Sequence, residues 1–443
     1  MPSVSIHRLI RCLPAAILLP LICRTALADL TPIYPASPFV NRGGGLGTNE
    51  GGFVSESDGK LTSATYSTHY TALEAVSTVQ PVYANQATGE NAVPNPITVK
   101  ASVLLNGITI PLTFGGARTV TIQPGGYATP DPLPLTLTQG QQFAVLTNVS
   151  VAPGGVWATG VPATGQYGDQ LVYRADATDT NTGWQNADAF AYAPVTVTGA
   201  VTSGKPLSLI GLSGDSIMEG QGMGGHEFGF GVEGVNASGL PWVRVALGGE
   251  SAGQWDVAHN NRLRWLAGCD AVITNYGTND ISDLNNSVAQ IKANLLADWS
   301  LDKSAGVKRI YQTTLTPGDW SAQQEAERTA INTWLRSGQA VADSAGALTG
   351  FFDTAAAVES DTTGGAVHIG GSHWASDYQY NQLHPSADGH AAMAAVLAQS
   401  LPGALAVPEA SVPLLMAAGM LVLTVGWWHQ RRNFPNSSAP LRN

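Results

Sequence analysis

Four short segments of the 443-residue chain carry side chains suited to acyl transfer, and they follow one another in a telling order. Leu207–Leu212 is a continuous apolar run that predicts a buried parallel strand, and it leads directly into Ser213-Gly214-Asp215-Ser216. A serine at a strand-to-helix turn exposes its hydroxyl at the carboxyl edge of a sheet, where open α/β sheets build their sites. Alone, Gly-Asp-Ser reads equally well as a turn whose serine caps a helix. Val243–Leu247 predicts a second strand, ending in Gly248-Gly249, whose backbone N–H groups can approach a substrate closely. Asn275–Asp280 ends a third and presents the Asn279 amide, and Gln382–Ser386 brings the His384 imidazole in front of the last helix. Singly these are a packing glycine, a turn asparagine and a loop histidine. At successive carboxyl edges of one sheet they make a nucleophile, three oxyanion donors and a base.

The ordered set Gly214-Asp215-Ser216, Gly249, Gly277-Thr278-Asn279-Asp280 and His384-Pro385 resembles the SGNH (GDSL-type) hydrolase/esterase superfamily over about residues 206–400. The resemblance implies that Ser216 is the nucleophile. The backbone N–H groups of Ser216 and Gly249 and the Asn279 side chain would form the oxyanion hole. His384 would take the serine proton and return it to the leaving alcohol. No cofactor is called for. One position departs from the family, which usually has Asp three residues before the histidine: here it is Asn381. Asn381 itself, Asp377 or a backbone carbonyl remain as groups to orient the imidazole. In the serine-protease template, Asp→Asn at this position costs about 10⁴ in kcat through the wrong tautomer.

Other polar clusters read as ordinary structure. His368, His373 and His390 gather near His384 without metal-ligand spacing and are read as loop and helix-surface histidines. Asp176–Gly183 lacks the sixth-position Gly and the Glu of a calcium loop and reads as a turn. The glycine-rich stretch 220–234 lacks a phosphate-binding ending; Met223 and Phe228 within it are candidates to wall a cleft beside Ser216. Trp157, Trp184, Trp255 and Trp374 are candidates to stack on sugars, although core packing is the default for tryptophan.

The elements that must position the site divide the body in two. Residues 29–204 are rich in Gly, Thr, Val and Pro, with short alternating runs such as Ile97–Val103. Asn106-Gly107 separates that run from the next and signals a hairpin. An antiparallel β-sandwich or jelly-roll accessory domain follows. Residues 205–402 instead alternate apolar strand runs with amphipathic stretches at Val288–Leu301 and Gln323–Ala342, and Ala387–Ser400 closes the domain. This predicts an α/β, three-layer flavodoxin-like hydrolase domain with a parallel sheet.

The two ends address the chain elsewhere. His7, Arg8 and Arg11, an apolar run Leu13–Cys23 and Ala26-Leu27-Ala28 read as a signal peptide, residues 1–28. Residues 406–432 resemble a PEP-CTERM sorting signal, with Val407-Pro408-Glu409-Ala410-Ser411, a transmembrane run 412–428 and then Arg431-Arg432. That resemblance implies an exosortase-type processing enzyme as partner, membrane attachment before processing, and the envelope or exterior of a Gram-negative bacterium. The three arginines at each end leave 15 Lys+Arg against 32 Asp+Glu in the middle, a net charge of −17. An acidic body has no electrostatic footprint for nucleic acid. The expected function is an exported serine esterase acting on an ester substrate, with acetylated polysaccharide as first choice. The alternatives are a lipase or lysophospholipase, and a catalytically impaired polysaccharide-binding matrix protein.

Overall fold

The computed structural model describes residues 33–41, 53–54, 61–86, 93–159, 161–164, 168–180, 183–186, 188–223, 228–255 and 262–406. The signal-peptide segment 1–28 and the sorting segment from 407 onward lie outside these residues.

The first half is built from nine-residue strands whose inner faces are apolar: β1 (Ser63–Thr71), β2 (Val76–Ala84), β3 (Ile97–Leu105) and β4 (Gln142–Ser150). β4 lies between β1 and β3 in a seven-stranded antiparallel sheet, and β2 lies in a five-stranded one. One buried cluster draws Val79 and Tyr83 from the second sheet and Tyr66, Val99, Val103 and Val145 from the first, so the two sheets form a sandwich. The expected hairpin is present. Asn106 and Gly107 have φ of +52° and +79°, and Leu105 pairs with Ile108, the conformation that a tight two-residue hairpin needs.

The second half is a parallel sheet of β5 (Ile210–Ser213), β6 (Trp242–Arg244), β7 (Ala271–Thr274), β8 (Arg309–Thr313) and β9 (Gly350–Phe352). Its spatial order is β6-β5-β7-β8-β9, with every neighbouring pair parallel. Counted within the sheet this is 2-1-3-4-5, the flavodoxin-like order, which has its switch point between β5 and β7. The helices used below are α1 (Ser216–Glu219), α2 (Phe230–Ala237), α3 (Thr278–Ser282), α4 (Val288–Ser304), α5 (Ala322–Arg336) and α6 (Ala387–Ala406). The predicted helix 323–342 is in fact interrupted, because Gly338 adopts φ +76° and starts a separate turn at Gln339–Asp343. The predicted strand Val243–Leu247 is likewise shifted: the strand spans Trp242–Arg244, and beyond it the Val245 and Leu247 amides still donate to the Leu212 and Gly214 carbonyls, each at 2.8 Å. Among the described residues no helix is long and apolar enough to cross a membrane.

Trp265 seams the halves together. Its Nε1 donates to Gln86 Oε1 at 3.1 Å, its carbonyl accepts from Tyr34 Oη at 2.7 Å, and Tyr34 and Tyr127 meet its ring edge-on. Val82, Ala84 and Val195 of the sandwich share a buried cluster with Leu263, Leu266 and Cys269 of the α/β half.

Candidate active site

Ser216 opens α1, and the turn before it is held by a reciprocal pair. Asp215 Oδ1 accepts from the Ile217 amide at 2.9 Å and from Asn275 Nδ2 at 2.8 Å, while Asn275 Oδ1 accepts from the Asp215 amide at 3.1 Å. Asp215 thereby caps the helix and ties the nucleophile turn to the end of β7. Gly214, at φ +145°, must be glycine, because a Cβ there would run into the Asn275 side-chain oxygen. Burial pushes the Asp215 carboxyl up to about 7.

Across 168 residues of sequence, Ser216 Oγ lies 2.8 Å from His384 Nε2. On the far side of the ring, His384 Nδ1 lies 3.0 Å from Asn381 Oδ1, and that oxygen also accepts from the Leu383 and His384 amides, each at 2.9 Å. Two backbone donors identify the atom facing them as the carboxamide oxygen, since an NH₂ there would set N–H against N–H. Nδ1 must then carry the proton, which leaves the Nε2 lone pair facing the serine hydroxyl, the tautomer a general base requires. Burial holds the His384 pKa below its ordinary value, so the ring is neutral and basic at pH 7.

Asp377 is not the orienting group. It is exposed, and its part in this loop is a backbone carbonyl that accepts from Ser386 Oγ at 2.7 Å. Asn381 thus avoids the tautomer penalty of the template and lacks only the charge. Because the residue is exposed, a carboxylate there is screened by water. Asn381→Asp is therefore expected to raise kcat by no more than about tenfold, one pK unit's worth of interaction. Steady-state kinetics on an aryl acetate would check this, and a gain near a thousandfold would contradict the tautomer assignment.

The three candidate oxyanion donors lie just past successive strand ends, Ser216 after β5, Gly249 after β6 and Asn279 after β7. Ser216 N–H, at the first position of α1, has no acceptor within the helix. Gly249 is exposed, and its N–H makes no backbone hydrogen bond among the described residues. Asn279 is buried in α3, where one N–H of its Nδ2 goes to the Glu250 carbonyl at 2.8 Å and leaves the other for a ligand.

The frame beneath these donors was not apparent from sequence. Glu250 is buried and is bound by both terminal nitrogens of Arg262, at 2.9 and 2.5 Å, and by Tyr276 Oη at 2.5 Å. Asp280 accepts from the Ala252 amide and from Asn294 Nδ2, both at 2.8 Å. Its place in the Gly277–Asp280 block was the only sequence signal for this frame. Behind it, Trp255 Nε1 donates to Asp302 Oδ1 at 3.2 Å, while neither oxygen of neighbouring Asp298 has a partner among the described residues. Burial raises both carboxyls, Asp302 to about 7.

A folded-state pKa above the unfolded value means that Asp302 contributes its full stability below about pH 4 and loses it as pH rises through 7. Asp302→Asn keeps the acceptor for Trp255. It is expected to raise stability by about 2–4 kcal/mol at pH 8 and hardly at all at pH 4. Denaturation at the two pH values checks this, and equal effects at both would refute it.

Several sequence readings change here. His390 is not a surface histidine: it is wholly buried, because α6 turns that face toward α2. Met223 and Phe228 are buried in the core, Phe228 edge-on to Trp242 at 5.5 Å. Trp157, Trp255 and Trp374 are likewise buried, and Trp184 is half-buried. His368 pairs with Asp361 at the surface. Asp176 and Asp179 are bound by Lys100, and Asp179 also by Arg118.

No family model matches the chain, and no curated protein does. Among solved structures, it is similar to a family two carbohydrate esterase from Clostridium thermocellum in complex with cellohexaose, at 14% identity. That match covers 80% of this chain and 99% of the other, with a TM-score of 0.34. A family two carbohydrate esterase from Cellvibrio japonicus is also 14% identical, covering 84% and 96%, with a TM-score of 0.34. A GDSL-like lipase from Bacteroides thetaiotaomicron is 17% identical, covering 44% and 89%, with a TM-score of 0.32. Similarity at this level assigns the chain to no family, and its chemistry is read from its own site.

Proposed function

We propose that this protein is an exported serine esterase that hydrolyses carboxylic esters through an acyl-enzyme and removes acetyl groups from polysaccharide. The observation that carries the reading is the 2.8 Å contact between Ser216 Oγ and an imidazole whose tautomer is set by Asn381. In the first step His384 Nε2 takes the Ser216 proton while Oγ attacks the ester carbonyl, and the three N–H donors receive the developing oxyanion. His384 then gives the proton to the leaving alcohol, and water repeats the sequence on the acyl-enzyme. The rival reading, a binding protein that has lost turnover, drew its support from Asn381, and the ordered Asn381–His384 contact weakens it.

The test is hydrolysis by the full chain of aryl acetate, longer aryl esters and an acetylated polysaccharide. Activity greatest on acetyl esters, with acetate released from the polymer, is the expected result. Rates that climb with acyl length would select the lipase reading instead.

A further inference from the structure

We propose that His390 is a positioning residue of the dyad, an imidazole that closes a hydrogen-bonded ring through Ser216 and His384. The inference rests on the esterase reading above. His390 lies on α6, six residues after His384, and is fully buried. Its Nδ1 accepts from the Phe230 amide at 3.1 Å, and its Nε2 donates to the Gln221 carbonyl at 3.0 Å. A backbone donor at one end of the ring and a carbonyl at the other admit a single neutral tautomer, with the proton on Nε2. Burial pushes its pKa down to about 4, which keeps it in that state at neutral pH.

Its Gln221 partner and its own backbone both lead back to the dyad. The Gln221 N–H donates to the Ser216 carbonyl at 2.9 Å. On the other side the His390 N–H donates to the Ser386 carbonyl at 2.8 Å, two residues beyond His384. The ring therefore runs from Ser216 through Gln221, His390 and Ser386 to His384, and closes at Ser216 Oγ. Between its two arms there is no room for a side chain: a Cβ on Gly222 would meet the Pro385 carbonyl oxygen. The loop that follows the nucleophile and the loop that carries the base thus touch backbone to backbone. His390 is the side chain that bridges them, and its ring stacks on Phe230 at 6.3 Å. An apolar replacement would leave the half-buried Gln221 carbonyl and the buried Phe230 amide without the imidazole, and the loops would shift to reach water.

His390→Phe keeps the ring and its stacking but removes both hydrogen bonds, whereas His390→Gln offers one donor and one acceptor. With the full chain and aryl acetate, His390→Phe is expected to lower kcat about 100-fold with KM within about threefold, as a displacement of around 1 Å would. His390→Gln is expected to recover at least about tenfold of that loss. Thermal melts establish that each variant is folded at the assay temperature. If His390→Phe does not fold, His390→Asn, whose shorter amide reaches one partner at a time, takes its place with the same expectation. A folded variant with unchanged kcat, a loss confined to KM, or no recovery with Gln overturns the proposal. If the parent shows no hydrolysis, it is the esterase reading that fails, and a crystal structure of the His390→Phe chain decides the point about His390. A Ser216–His384 separation beyond about 3.5 Å then supports the positioning role, and an unchanged 2.8 Å rejects it.

Discussion

Ser216→Ala is expected to abolish ester hydrolysis, with kcat falling by roughly 10⁴ to 10⁶. The size of the effect follows from how the dyad works as a unit. Without Oγ the neutral His384 has no nucleophile to deprotonate, and only substrate binding and the oxyanion donors remain. In serine hydrolases that remainder is worth about 10³ to 10⁴ over water. His384→Ala should be nearly as severe, and the double variant hardly worse than either, because each removes the same reaction path. Rapid mixing with an aryl acetate provides the direct measurement. The parent should release one burst equivalent of phenol per active site as the acyl-enzyme forms, and Ser216→Ala should release none. A variant that kept more than about one part in a hundred of the parent kcat would refute the nucleophile assignment, since among the described residues no other hydroxyl touches the imidazole.

Asn279→Ala is expected to lower kcat by roughly 10² to 10³ while KM stays within a few fold. One N–H of the Asn279 amide is committed to the Glu250 carbonyl at 2.8 Å, so the group arrives at the site already oriented. The second N–H is worth little to a neutral ester carbonyl and much to the oxyanion that replaces it, so the loss falls on the transition state. The same substitution leaves the buried Glu250 carbonyl without a donor, a stability cost of about 1–3 kcal/mol. Melting curves taken beside the kinetics separate the two effects. If kcat fell by less than about threefold in a folded variant, Asn279 would not be an oxyanion donor.

What could be read from the sequence was local, or repeated along the chain. Leu207–Leu212 announces a buried strand because a parallel strand covered on both faces must be apolar throughout. Asn106-Gly107 announces its turn because few other residue pairs tolerate positive φ at both positions. Ser216, Gly249 and Asn279 could be singled out because each follows an apolar run and sits where a parallel sheet ends, and His384 because it stands just before the last helix.

Other features were settled only by contacts that the folded chain makes and its residue pattern does not announce. Asn381 looked like a defect until the Leu383 and His384 amides were seen to fix which atom of its carboxamide faces the imidazole. His390 passed for a surface residue, because the short run Ala387–Ser400 is apolar nearly all round and so does not mark the face that α2 will cover. Glu250 and Arg262 were invisible for the same reason. A buried ion pair 12 residues apart has no period and no motif, and forms only when the turn at Glu250 and the start of the Leu263–Leu266 helix are brought side by side. Residue type and order along the chain therefore determined which groups could react. The packing of distant segments decided which of them meet, in which protonation state, and which side chains hold them there.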